Sequence, residues 1–100
     1  MQVHSIYCGL QSSDLTEDQA RQLVLDLAAE HFPNGHTIHE ATGRWRGVMV
    51  QCDEPTLIIE VWQVDGFGIP PIGDCAADYK ELARQESVVI LSHQSDAVVI

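Results

Sequence analysis

Hydrophobic and polar positions alternate between two periods along the chain. Val3 to Leu10 mixes β-branched, aromatic and small residues over a strand's length, and Ser12-Ser13-Asp14 closes it with turn chemistry. Ala20, Leu23, Val24, Leu27 and His31 recur at helical spacing behind a Thr16 and Gln19 capping-box pair, which predicts a helix from about Glu17 to His31. Phe32-Pro33-Asn34-Gly35 stops that helix, because proline cannot continue the hydrogen-bond ladder and Asn-Gly tolerates positive φ. Thr37 to Val50 is rich in β-branched and apolar residues but is interrupted by Gly43 and Gly47, the pattern of a long strand with a bulge or strong bend. Cys52-Asp53-Glu54-Pro55 reads as the next turn, and Thr56 to Val64 as the following strand.

The segment Gly66 to Gly73 carries three glycines and two prolines around three large apolar residues, so it is expected to be a loop that covers something. Asp74 can cap a second helix from about Cys75 to Gln85, with Ala76, Tyr79, Leu82 and Ala83 on one face. Ser87 to Leu91 reads as a strand, Ser92-His93-Gln94-Ser95 as a polar turn, and Ala97 to Ile100 as a short final edge strand. The order is βαββαβ plus a C-terminal edge strand. It predicts an α+β, ferredoxin-like split βαβ sandwich, with two helices on one face of an antiparallel sheet and residues 1–100 as one domain. Ile58, Trp62, Val89 or Val98 on the other face would form an apolar patch, which predicts a homodimer or higher oligomer. The alternative is that the Gly66 to Gly73 loop folds over that face within one chain.

Charge narrows the possible partners. Five basic against fifteen acidic residues give a formal net charge of −10, which repels phosphate backbones and anionic membrane surfaces. No nucleic-acid polymer and no membrane partner is expected. Met1 is followed by Gln2-Val3-His4-Ser5 rather than a basic segment and an apolar run, so a cytoplasmic protein is expected. Cys8, Cys52 and Cys75 are odd in number and widely spaced, as for reduced structural thiols. His36 and His39 stand three apart, which on a strand sends them to opposite faces, and no metal site is expected from them. No Gly-rich phosphate loop, Ser-His-Asp pattern or H-E-x-x-H motif is present, and no cofactor is expected.

Several blocks of the chain resemble a known family. Phe32-Pro33-Asn34-Gly35, Thr37, Ala41-Thr42-Gly43-Arg44-Trp45-Arg46, Glu54-Pro55, Tyr79-Lys80 and Gln85-Glu86-Ser87-Val88 are similar to those of short bacterial proteins grouped as a domain of unknown function. The resemblance spans most of the chain and implies a shared fold rather than an activity. Relatives often carry a secretion or lipoprotein signal and a more polar segment in place of the Gly/Pro-rich loop.

The scarce positive charge is concentrated at Gly43-Arg44-Trp45-Arg46. On a regular strand both guanidinium groups point to one face and the indole to the other, and two planar forks side by side suit a phosphate or carboxylate. The ligand-binding set expected on this basis is Arg44, Trp45, Arg46, His39 and Trp62. The competing reading pairs the arginines with Glu40, Glu54 or Glu60 on neighbouring strands. With no catalytic set in view, the leading expectation is a non-enzymatic oligomeric protein that holds a small anionic, nucleotide-like ligand. Phage sponges that sequester host signalling nucleotides share these features. A second expectation is a small ferredoxin-like isomerase or lyase using His4 or His39 as proton carrier in a pocket covered by the Gly66 to Gly73 loop, with His4, His39 and Glu40 supplying an acid and a base if strands one and two adjoin. A third is an acidic module that binds a basic protein partner.

Overall fold

Period-two and period-3.6 patterning become six elements among the described residues: β1 (Gln2–Gly9), α1 (Glu17–His31), β2 (Thr37–Arg46), β3 (Gln51–Gln63), α2 (Ile72–Leu82) and β4 (Val89–Gln94). The structure, a computed structural model, describes residues 1–46, 51–66 and 68–96, with the backbone alone at 45, 46, 51 and 52. The strand expected at Ala97 to Ile100, with Val98, therefore lies outside the described residues, as do Gly47 and Phe67. α1 starts where the capping box puts it: Thr16 Oγ1 accepts from the Gln19 amide at 3.2 Å, and Gln19 Oε1 accepts from the Thr16 amide at 2.9 Å.

The sheet order is β2-β3-β1-β4, with every pairing antiparallel. Alternation sends Ile6, Cys8, Leu57, Ile59 and Val61 toward the helices. There they form one buried core with Ala20, Val24, Leu27 and Ala28 of α1 and with Ile72, Cys75, Ala76 and Tyr79 of α2. Two helices on one face of a four-stranded antiparallel sheet make the ferredoxin-like arrangement that the element order predicts.

Several local expectations are corrected. Cys52 to Pro55 is not a turn but the first part of β3, paired through Asp53 with Arg44 and through Glu54 with Gly43. The β2–β3 register runs unbroken from Thr37↔Glu60 to Arg46↔Gln51, so Gly43 marks no bulge. α2 begins at Ile72 rather than Cys75, because Ile72 joins the core; Pro71 occupies the cap position and Asp74 falls inside the first turn. Leu82 leaves the predicted buried face and is exposed. Ser92, His93 and Gln94 belong to β4 and pair with His4, Val3 and Gln2. Among the described residues the Gly/Pro loop leaves much of the sheet's open face uncovered: Trp62 is 51% exposed and Val89 and Leu91 are 45% and 49% exposed, while Val3 and Ser5 of β1 lie buried between them.

Glu54 is only 7% exposed, and its carboxylate fills the space where a Cβ at Gly9 would sit. Its Oε2 accepts from the Gln11 amide at 2.9 Å. The chain leaving β1 is held further by Leu10 N–H to Pro55 O at 2.9 Å, by the Tyr79 hydroxyl donating to Gly9 O, and by Gln85 Nε2 donating to Gln11 O at 2.6 Å. Burial, with Cys8 and Glu54 nearby, pushes the Tyr79 hydroxyl pKa up, so it stays a donor. Burial also raises the Cys8 thiol to about 12 and the Cys75 thiol to about 11, with neighbouring Cys75 acting on the first and Asp78 and Glu30 on the second.

Two outcomes follow. Gly9→Ala should cost about 1–3 kcal/mol through overlap with a pinned carboxylate, and urea unfolding of a double-mutant cycle should show most of that cost vanishing in a Glu54→Ala background. An undiminished cost would place the clash elsewhere. Cys8 and Cys75 should resist iodoacetamide in the native protein at about pH 8 and label on unfolding, as read by peptide mass spectrometry; native labelling at either would contradict their burial.

Candidate ligand-binding cleft

The fold brings three segments together at one end of the sheet. The turn after α1, the last residues of β3 and the Gly/Pro loop enclose a cleft of about 900 Å³. Gly66 and Gly68 take φ values of 89° and 81°, which lets the chain leave β3 and reverse along the cleft wall. On the opposite wall, His36 Nδ1 meets Phe32 O at 3.0 Å and closes the turn after α1. His31 Nε2 lies 2.9 Å from Asp78 Oδ2 and ties the end of α1 to α2.

Glu60 and Trp62 line the cleft from β3. Both stand on the sheet's open face, two residues apart, and the register Thr37↔Glu60 with His39↔Ile58 sets His39 diagonally beside Glu60. Trp62 Nε1–H donates to Glu60 Oε1 at 2.7 Å, and His39 Nε2 meets Glu60 Oε2 at 2.8 Å. The indole hydrogen bond holds the Glu60 carboxyl below the usual carboxylate range; His39 adds to this through its own bond and charge, burial opposes it, and His93 on β4 contributes at longer range. The result is an ionised carboxylate clasped by two ring N–H groups, with a half-exposed indole face beside it.

The expected site residues therefore divide. His39 and Trp62 are joined through Glu60, which sequence reading named only as a possible arginine partner. Arg44 lies roughly 20 Å along β2 from Thr37 at the cleft. Its guanidinium forms a two-pronged pair with Asp53, Nε to Oδ1 at 2.6 Å and Nη2 to Oδ2 at 3.1 Å. That hydrogen bond raises Arg44 and lowers Asp53, and both groups are exposed. The Trp45 and Arg46 side chains lie outside the described residues. None of the partners expected for Arg44 takes it: Glu40 pairs with Arg21, Glu60 with His39, and Glu54 with a backbone amide.

Strands β1 and β2 do not adjoin, because β3 lies between them. His4 instead bridges Ser92 Oγ at 2.6 Å and Gln63 Oε1 at 2.9 Å, so it forms no acid–base group with His39 and Glu40. Among the described residues, no group of three or more His, Cys, Asp or Glu side chains could hold a metal ion, and no helix is long and apolar enough to cross a membrane.

A family model described as a protein of unknown function, DUF3574, matches residues 4–98, in keeping with the resemblance to a domain of unknown function. None of the curated proteins matches the sequence. Among solved structures, a phage SAM lyase in the apo state superposes with a TM-score of 0.68 at 18% identity, over 92% of this chain and 78% of that one. A phage SAM lyase in complex with S-methyl-5'-thioadenosine superposes with a TM-score of 0.71 at 15% identity, over 93% of this chain and 80% of that one. At such identities the likeness is one of fold.

Because the folded Glu60 value lies below the ordinary 4.5, its interactions stabilise the fold above that pH and are lost as pH falls through the folded value. Carboxyl NMR titration should place the Glu60 midpoint below the ordinary glutamate value of 4.5, and Trp62→Phe should move it upward. A midpoint unaffected by Trp62→Phe would remove the indole as the cause.

Proposed function

We propose that this chain, which belongs to the DUF3574 family, binds a small nucleoside-like molecule in the cleft beside Trp62, as an assembly of copies joined through the open face of the sheet. One observation carries the reading: a half-exposed indole, pinned through its N–H to Glu60, stands at a cleft of about 900 Å³, the size range of small-molecule sites. A fixed indole is a preorganised stacking platform, and base–aromatic stacking contributes about 1–3 kcal/mol per base. The similar solved structures, a phage SAM lyase alone and with S-methyl-5'-thioadenosine, support a nucleoside in this fold. The assembly rests on Trp62, Val89 and Leu91, exposed together on a sheet face that no helix covers.

Sequestration, the sponge-like role, is the simplest use of such a site, and the reading takes the protein to act in the cytoplasm. Turnover is the second reading. It is favoured by the Glu60 and His39 contact, a carboxylate and an imidazole within hydrogen-bond reach of each other, and by the fold shared with the phage SAM lyases. The two readings share a ligand and differ in whether it leaves unchanged.

Native mass spectrometry of the purified protein should show a multiple of the 11.1 kDa chain. Val89→Asp with Leu91→Asp should return it to a single chain. An adenosine-type ligand at about 100 times its Kd should stabilise the fold by about 2.7 kcal/mol; Trp62→Ala should abolish that gain and Arg44→Ala should leave it. Absence of any shift across a nucleoside panel defeats the binding reading, a single-chain wild type defeats the assembly, and product formation that stops in His39→Ala replaces sequestration by turnover.

A further inference from the structure

We infer that the cleft is built for a positively charged nucleoside, one bearing a sulfonium or ammonium group, and that Glu60 with Trp62 reads that charge. This rests on the binding reading above and names the ligand class that fits it. Among the described residues, the cleft lining contains no lysine and no arginine, and Glu60 is its single carboxylate. Its two histidines already have partners within the protein: His31 Nε2 meets the Asp78 carboxylate and His36 Nδ1 meets the Phe32 carbonyl.

A phosphate placed here would meet a carboxylate and find no lysine or arginine among the described lining residues. The surroundings do not help it, since the chain carries a formal charge of −10 and Arg21, Arg44 and Arg84 are each engaged by a carboxylate, Glu40, Asp53 and Asp14 respectively. A fixed cation gains twice at the same place. It is attracted by the Glu60 carboxylate, and the negative face of the adjoining indole adds a cation–π attraction. Trp62 bonds Glu60 through its ring edge, which leaves the indole face for the ligand. The Trp62 and His39 bonds occupy one direction on each Glu60 oxygen, and each oxygen retains further acceptor capacity toward the cleft.

Calorimetric titration of the whole protein with matched probes tests this directly. S-adenosylmethionine carries the sulfonium, S-adenosylhomocysteine is the same molecule as a neutral thioether, an adenosine analogue with an ammonium group in that position resists turnover, and AMP carries a phosphate. The sulfonium and ammonium probes should bind at least about tenfold tighter than the thioether, in the range of a desolvated cation–π contact, with AMP weakest. Glu60→Gln keeps an acceptor for Trp62 and a polar partner for His39, and should shrink the ratio of cation to thioether affinity to within about twofold, a ratio in which any loss common to both probes cancels. Equal affinity for cation and thioether, tighter binding of AMP, or a preference that survives Glu60→Gln would overturn the inference with the binding reading intact. Failure of all four probes would remove the binding reading itself.

Discussion

Strand β3 is paired along both of its edges, and the rest of the molecule is set against that ladder. Its register with β1 sends Leu57, Ile59 and Val61 into the core and Ile58, Glu60 and Trp62 to the open face. A slip of one residue would exchange the two sets, placing a carboxylate under the helices and exposing three apolar side chains each worth about 1.5–3 kcal/mol when buried. The core therefore specifies the cleft. Glu60, Trp62 and His39 need no local motif to meet, because the pairing that buries Ile59 also fixes their separation.

The two ends of β3 use carboxylates in opposite ways. At its start Glu54 is buried, caps the Gln11 amide and excludes any side chain at Gly9, while Tyr79 and Gln85 secure the same stretch. Glu54, Tyr79 and Gln85 are far apart in sequence yet all belong to the blocks that carry the family resemblance, and their shared task is to hold the crossover from β1 to α1 against the sheet. At its far end Glu60 stays accessible and ionised. The exposed arginine pairs add little to stability, but by consuming the scarce positive charge they leave that end of the sheet electrostatically negative.

What the sequence disclosed and what it hid follow from the range of the interactions involved. α1 was legible because its start is a local device, Thr16 with Gln19, and its end a local obstacle, Pro33. Cys52 to Pro55 misleads because it has turn composition, yet Pro55 stands just beyond the last β1 partner, Gly9↔Thr56, where its missing N–H breaks no β1–β3 pair. With that segment read as a turn, Asp53 could not be seen opposite Arg44. β4 is similarly disguised: Gln94 and Ser92 are polar because they bond Gln2 and His4 side chains across the ladder, not because the chain turns there. His39 and Glu60 are twenty-one positions apart, so their contact depends on a register that composition does not reveal.

A chain with a formal charge of −10 resists meeting another copy of itself. Association then requires a surface whose apolar contact outweighs that repulsion. The open face offers apolar contact to set against it: beside His39 and Glu60 lie Trp62, Ile58, Val89 and Leu91. Trp62 belongs both to this face and to the cleft lining, so in the proposed assembly a second copy on the open face would shield the indole and the Glu60 carboxylate from water. Shielding lowers the local dielectric and strengthens the pull of a carboxylate on a cation. Assembly and charge selection would then be coupled through one side chain, with a ligand that stacks on Trp62 favouring the assembled form.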